Sequence, residues 1–234
     1  MQNRQLQLQP RLQLLADLVP SGARLADVGT DHGYLPVWLL QHGRISAAIA
    51  ADIGPEPLEH ARRTAAEHGV RGIDFRLCDG LRGIAPEEAD TVVLAGMGGE
   101  TMIHILSAAP WTRCPGAVTL LLQPMTKAGD LRRWLSDNGY CFTQERLVRD
   151  KDFLYPVLVV TGGPQPPLTK FQQEYGLLLS EDPLYGDYLD LHLRRLEQAE
   201  AGMLRSDQET VRARASEIAA LRAEMKRARE EWQG

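Results

Sequence analysis

Three acids and one run of glycines stand where short apolar segments stop. They are Asp27 in LADVGTDHG (25–33), Asp52 closing AAIAAD (47–52), Asp79 in CDGL (78–81), and Gly96-Met97-Gly98-Gly99 after TVVLA (91–95). If each segment is a parallel strand, these residues gather at the carboxyl ends, where open α/β sheets bind ligands. The loop after the first strand narrows the choice. It carries Gly29 and Gly33 with a second acid, Asp31, between them, and a helix-forming stretch follows from Tyr34. A strand, a glycine loop and a helix bring backbone N–H groups to a nucleotide-like ligand. Asp27 and Asp31 would repel a pyrophosphate, however, and the spacing is not GxGxxG. A ligand with a sulfonium and an ammonium group suits them, and S-adenosylmethionine is such a ligand. Asp52 then has the reach to accept both ribose hydroxyls, and Asp79 to accept from an adenine amino group.

Each of these residues also has a plain structural reading. Asp27 can hydrogen-bond its own loop, Asp52 with Gly54-Pro55 can start the next helix, and Asp79-Gly80 is a common turn pair. His32 is open between a hydrogen-bonded loop residue and a catalyst, and Tyr34 between core packing and a platform for a planar base. His42, His60, His68 and His104 have no metal-like spacing, so no metal is expected and they receive no role.

The elements that must hold these residues follow from periodicity and punctuation. Residues 1–20 read as an entry helix ending at Pro20-Ser21-Gly22. Strands are expected at 24–28, 47–52, 74–78, 91–95 and 118–122, with helices from Leu35 to Gln41, Pro55 to His68, Glu100 to Ala108 and Gly129 to Asn138. Two further strands, 140–148 and 155–160, are joined by too few residues for a helical crossover and must be antiparallel. The expected fold is α/β, a mostly parallel sheet with one antiparallel edge strand. The domain spans 1–160, and 161–169 (TGGPQPPLT) is the linker. In 170–234 two apolar stripes appear, Leu189-Leu193-Leu196-Ala199-Met203 and Val211-Ala215-Ile218-Leu221-Met225-Ala228-Trp232, with Ser206 and Glu209 as a capping box between them. That pattern predicts a helical coiled-coil hairpin.

Composition sets the outer bounds. The chain has 234 residues, 44% hydrophobic and 24% charged, which is enough for one α/β domain with an appendage. No apolar run has the length of a membrane span, and the start lacks a secretory core. Three scattered cysteines support neither a disulfide framework nor a zinc site, so a cytoplasmic home is expected. A net charge of −5 gives no support to a nucleic-acid partner by itself. Arg62 with Arg63, Lys127 with Arg132 and Arg133, and Arg146 with Arg149 and Lys151 read either as a local basic face or as scattered solvated charges.

The runs RLADVGTDHGYLP, AAIAADIGPEPLEHA, CDGL, LAGMGGETMIHIL and LLQPM resemble the bacterial tRNA (adenine(22)-N1)-methyltransferase family over roughly residues 11 to 200. The resemblance implies a Rossmann-like class I methyltransferase domain, a helical coiled-coil domain, S-adenosyl-L-methionine as cofactor and tRNA as partner. It implies a cofactor pocket lined by Asp27, Gly29, Thr30, Asp31, Asp52, Ile53, Asp79, Gly80, Gly96, Met97, Gly98 and Gly99. Asp31, His32 and Tyr34 would face the target base as catalytic residues. Two positions depart from the family's pattern: Met125 stands where Asn is usual after Gln-Pro, and Asp52 where Glu is frequent. The expected reaction is methyl transfer to N1 of an adenosine, at position 22 by resemblance. Two other readings remain open: a methyltransferase of a protein or small molecule, and a non-catalytic cofactor-binding interaction module.

Overall fold

In the computed structural model, which describes residues 6–203 and 209–232, the chain divides into two compact units, Met1–Pro167 and Leu168–Gly234. The first unit is built on seven strands: β1 (Leu25–Val28), β2 (Ala48–Asp52), β3 (Ile73–Leu77), β4 (Thr91–Met97), β5 (Thr119–Pro124), β6 (Tyr140–Asp150) and β7 (Phe153–Gly162). They form one sheet in the order β3-β2-β1-β4-β5-β7-β6. β1 to β5 are parallel, and β7 runs antiparallel to both neighbours. The antiparallel strand therefore lies at the expected end of the sheet but one place in from its edge, and β6 is outermost. β7 also continues two residues into the stretch read as linker.

β1 is an interior strand, between β2 and β4, and LADV is buried at every position, as a strand covered on both faces must be. Helices α1 (Pro10–Leu18), α2 (Tyr34–Gln41) and α3 (Pro55–Glu67) pack in succession, while α4 (Gly99–Ser107) packs on α5 (Ala128–Asp137). The entry helix is shorter than the sequence pattern suggested because Pro10 opens it, where a missing N–H costs nothing. Leu15, Val19, Leu35 and Leu39 join Leu25, Val93 and Leu121 in one core cluster. Chain order reverses direction at β1 and β4, and that crevice is the topological switch point where ligands bind.

Beside α5 the sheet buries an ion pair. Arg132 Nε donates to Glu145 Oε1 at 2.7 Å, with both side chains fully inaccessible. Arg132 thus belongs to the core and not to a basic face with Lys127 and Arg133. Those two pair with acids nearby, Lys127 with Glu100 and Asp130, Arg133 with Asp130.

The second unit begins with α6 (Lys170–Tyr175), whose capping box joins Thr169 and Gln172 in both directions. α7 (Tyr185–Met203) and α8 (Glu209–Glu231) then pair. The bridges Asp190–Arg229, Glu197–Lys226 and Glu200–Arg222 fix them as antiparallel, since one number rises as the other falls. Leu189, Leu196, Ala215 and Met225 are buried, as the stripes required. Gly186 lies where a Cβ would strike the Trp232 ring. The capping box expected from Ser206 and Glu209, and the side chain of Val211, lie outside the described residues.

Removing one member of a buried pair strands the other charge in low dielectric, at about 3–5 kcal/mol. Arg132→Met should therefore lower the melting temperature of the first unit steeply. Arg132→Met with Glu145→Leu should recover most of the loss, which calorimetric scans of the three proteins would show.

Candidate active site

The loop between β1 and α2 is held by its neighbour strand. Gly29 and Thr30 both donate backbone N–H groups to Ala51 O, at 2.8 and 3.1 Å. Asp27, in the middle of the sheet, is 7% exposed, and the Thr30 hydroxyl donates to its Oδ2 at 2.6 Å. Burial pushes the Asp27 carboxyl from 3.8 up to about 6; the Thr30 bond opposes the rise and the Asp52 charge adds to it. An apolar strand thus ends on a carboxylate that is expensive to ionise without a cation beside it. The structural reading of Asp27 is correct as far as the Thr30 bond goes. It does not explain why the fold places an acid there.

The loop turns sharply, with left-handed backbone at Gly29 (φ 77°), Asp31 (φ 48°) and Gly33 (φ 67°). For Asp31 that conformation costs energy that a glycine would escape. At Gly33 a Cβ would lie 2.9 Å from Ala61 Cβ, so this glycine lets α3 close on the loop. Between the two left-handed residues, His32 stacks on Tyr34 (centroids 5.2 Å apart) and on His60 (5.0 Å). The Asp31 carboxylate stands 3.6 Å from His32 Nε2.

Asp52 ends β2, and its Oδ1 accepts from Gly54 N–H at 2.9 Å, so one oxygen also serves the turn into α3. Ile53 beside it is 72% exposed, an apolar surface that can pack on the face of a planar base. Asp79 pairs loosely with Arg82 at 3.5 Å, and at Gly80 (φ 58°) a Cβ would lie 3.0 Å from the Ile105 side chain.

The four residues of the glycine turn divide by role. Gly96 (φ 74°) faces open space, and a bulge between Ala95 and Met97 releases it from the β4–β5 ladder. At Gly99 a Cβ would come within 2.5 Å of Lys127 O, so its smallness serves the approach of the 126–127 backbone. At Gly98 a Cβ would lie 3.2 Å from Thr126 Oγ1, and Met97 O accepts from Met125 N–H at 2.9 Å. Only Gly96 has the open face that close approach of a ligand requires.

Three residues without an assigned role in the sequence stand in this region. Gln123, 1% exposed at the end of β5, accepts from Gly96 N–H at 3.2 Å and from Arg11 Nη1 at 3.5 Å. Arg11 also donates to Asp150 Oδ2 at 2.6 Å and to the Met125 sulfur at 3.1 Å. Met125, in place of the usual amide, is therefore a contact of this guanidinium. Gln123 carried a signal, since it too ends a strand. Arg11 and His60 carried none, because only the tertiary fold brings them here.

Asp27 fixes a pH dependence. Its folded value is raised, so the stability it confers is full below pH 3.8 and is lost as pH climbs through about 6. The loss is roughly 3 kcal/mol. Asp27→Asn should therefore melt higher than the parent at pH 7.5, with the gap closing by pH 4, in ligand-free protein followed by thermal unfolding.

A methyltransferase-domain profile matches residues 8–158. The tRNA (adenine(22)-N(1))-methyltransferase of Bacillus subtilis is 36% identical over 186 residues, covering 79% of this chain and 76% of that one. The crystal structure of the B. subtilis m1A22 tRNA methyltransferase superposes with a TM-score of 0.84 at 29% identity, over 96% of this chain and 99% of that one. A Streptococcus pneumoniae putative tRNA (m1A22) methyltransferase, solved in complex with S-adenosyl-L-methionine, has a TM-score of 0.80 at 29% identity, over 94% and 98%. With this sheet order, these strand-end acids and likeness along most of its length, the chain belongs to the bacterial tRNA (adenine(22)-N1)-methyltransferase family.

Proposed function

We propose that this protein transfers a methyl group from S-adenosylmethionine to N1 of adenosine 22 in tRNA. The observation that carries the reading is the pair of acids at adjacent strand ends. Burial chiefly, and the charge of Asp52 in smaller part, raise Asp27 to about 6, so together the two acids favour a ligand bearing positive charge and hydroxyl donors. The residues present fit such a group. Asp27 would hold the ammonium end through the loop, Asp52 the ribose hydroxyls, Ile53 one face of the adenine, and Asp79 with Gly80 its amino edge. Gly29, Thr30, Asp31 and the Gly96–Gly99 turn complete the pocket, with Gly96 giving backbone access. Bound S-adenosylmethionine supplies an electrophilic methyl on sulfur. The protein's work is then alignment more than covalent help.

N1 is on the pairing edge of adenine, so the base must leave its stack to react. Tyr34, 39% exposed at the start of α2, offers a ring for it, and Asp31 with His32 orients the edge. The product base is cationic, and Asp31 stabilises charge as it develops. The antiparallel helices of the second unit serve as a tRNA-positioning arm. Among the described residues no helix is long and apolar enough to cross a membrane, and a cytoplasmic site of action accords with tRNA as substrate.

Methyl transfer from labelled S-adenosylmethionine to an unmodified tRNA transcript should yield N1-methyladenosine. A transcript with guanosine at position 22 should accept none; equal labelling of both would overturn the assignment of position. Asp52→Ala should weaken cofactor binding ten- to a hundredfold by calorimetry with a smaller effect on the saturated rate. His32→Ala should do the reverse, lowering single-turnover transfer at least tenfold. Removing residues 168–234 should weaken tRNA binding while cofactor affinity holds.

A further inference from the structure

Asp31, His32 and His60 bring three metal-ligating side chains together at the rim of the site. Their ligand atoms all lie within 4.8 Å of one another. The cluster is tertiary in origin: two ligands come from the β1–α2 loop and the third from α3. The left-handed Asp31 and Gly33 flank His32, and the close packing of Gly33 on Ala61 sets α3, and with it His60, beside the loop. Nothing in the proposed methyl transfer employs His60.

Two imidazoles and one carboxylate form the donor set that zinc-class divalent ions favour, and no thiolate takes part. Bonds of about 2.0–2.1 Å in tetrahedral geometry hold donors about 3.4 Å apart, so the three must draw in slightly. The imidazoles lie parallel within 7°, and a shared ion requires one ring to turn about its Cβ–Cγ bond. His32 is 43% and Asp31 66% exposed at the side chain, which leaves room for that turn. The remaining coordination positions face solvent and would be filled by water.

We propose that Asp31, His32 and His60 bind a divalent transition ion of the zinc class, and that the bound ion excludes the target base. The second half rests on the reading above, in which Asp31 and His32 face that base. Held there, the ion neutralises Asp31, takes the His32 lone pair and occupies the space beside Tyr34. The site is a reversible brake and not a catalytic centre.

Calorimetric titration of the full chain with zinc chloride tests the binding half. One ion per chain should bind, and at least tenfold more weakly to His60→Ala and to His60→Gln, the second of which preserves side-chain bulk. Methyl transfer to tRNA, assayed in magnesium buffer with graded zinc, tests the other half. The parent should be inhibited and recover on addition of a zinc chelator. Both His60 variants should keep the parent's rate without zinc and need at least tenfold more zinc for the same inhibition. Zinc bound as tightly by the His60 variants, or full occupancy with unchanged transfer, overturns the proposal. Absence of transfer with no zinc present strikes instead at the methyltransferase reading, and the calorimetric comparison is independent of it.

Discussion

A carboxylate buried before any ligand arrives is the constraint around which the site is arranged. Asp27 is paired on one side to Ala50 of β2 and on the other to Val93 of β4, so β1 cannot shift to expose it. Its remaining freedom is removed by the Thr30 hydroxyl and by two N–H bonds from the loop to Ala51. Because the loop must double back to make those bonds, it passes through left-handed backbone at Gly29 and turns again at Asp31 and Gly33. Those turns in turn set where His32, Tyr34 and α3 lie. The geometry of Asp31, His32 and Tyr34 is thus inherited from the burial of one acid.

The neighbouring acids differ from it in exposure. Asp27 is buried, whereas Asp52, which shares one oxygen with Gly54, and Asp79, which pairs with Arg82, are both half-buried. This gradient suits a ligand whose charged end enters deepest and whose polar, uncharged parts lie nearer the surface. A buried carboxylate gains most from a cation because water screens little there, whereas hydroxyl and amino donors are satisfied as well at the rim.

The strands and the strand-end acids were legible because each is a local pattern: an apolar run, then an acid or glycine, then a helix start. The place of β7 inside the edge was not, since strand order depends on how a hairpin folds back and both orders satisfy the same short connection. Arg132 looked like surface charge by composition, yet its partner Glu145 lies on β6, and only pairing across α5 and the sheet reveals the burial. The glycine turn was read as one ligand-facing device. Its split into an open Gly96 and a clasped Gly99 depends on the 126–127 backbone, a feature of a different loop. Arg11 and His60 share this character, for each gains meaning from a residue distant in sequence.

The site's two halves also differ in how finished they are. Asp27 and Thr30 are packed and hydrogen-bonded within the protein, whereas Asp31, His32, Tyr34 and Ile53 stand substantially in solvent. A small-molecule pocket would enclose its substrate and complete the exclusion of water itself. A macromolecular substrate can do that work from its own side, since an extruded base arrives with a backbone and neighbouring bases that cover the rim. On the proposed reading the protein pre-organises the cofactor end and leaves the base end for RNA to close. The same openness explains why His32 and His60 are accessible to a small cation: a rim built to receive a base from solution cannot by its shape refuse an ion with two imidazoles and a carboxylate to bind.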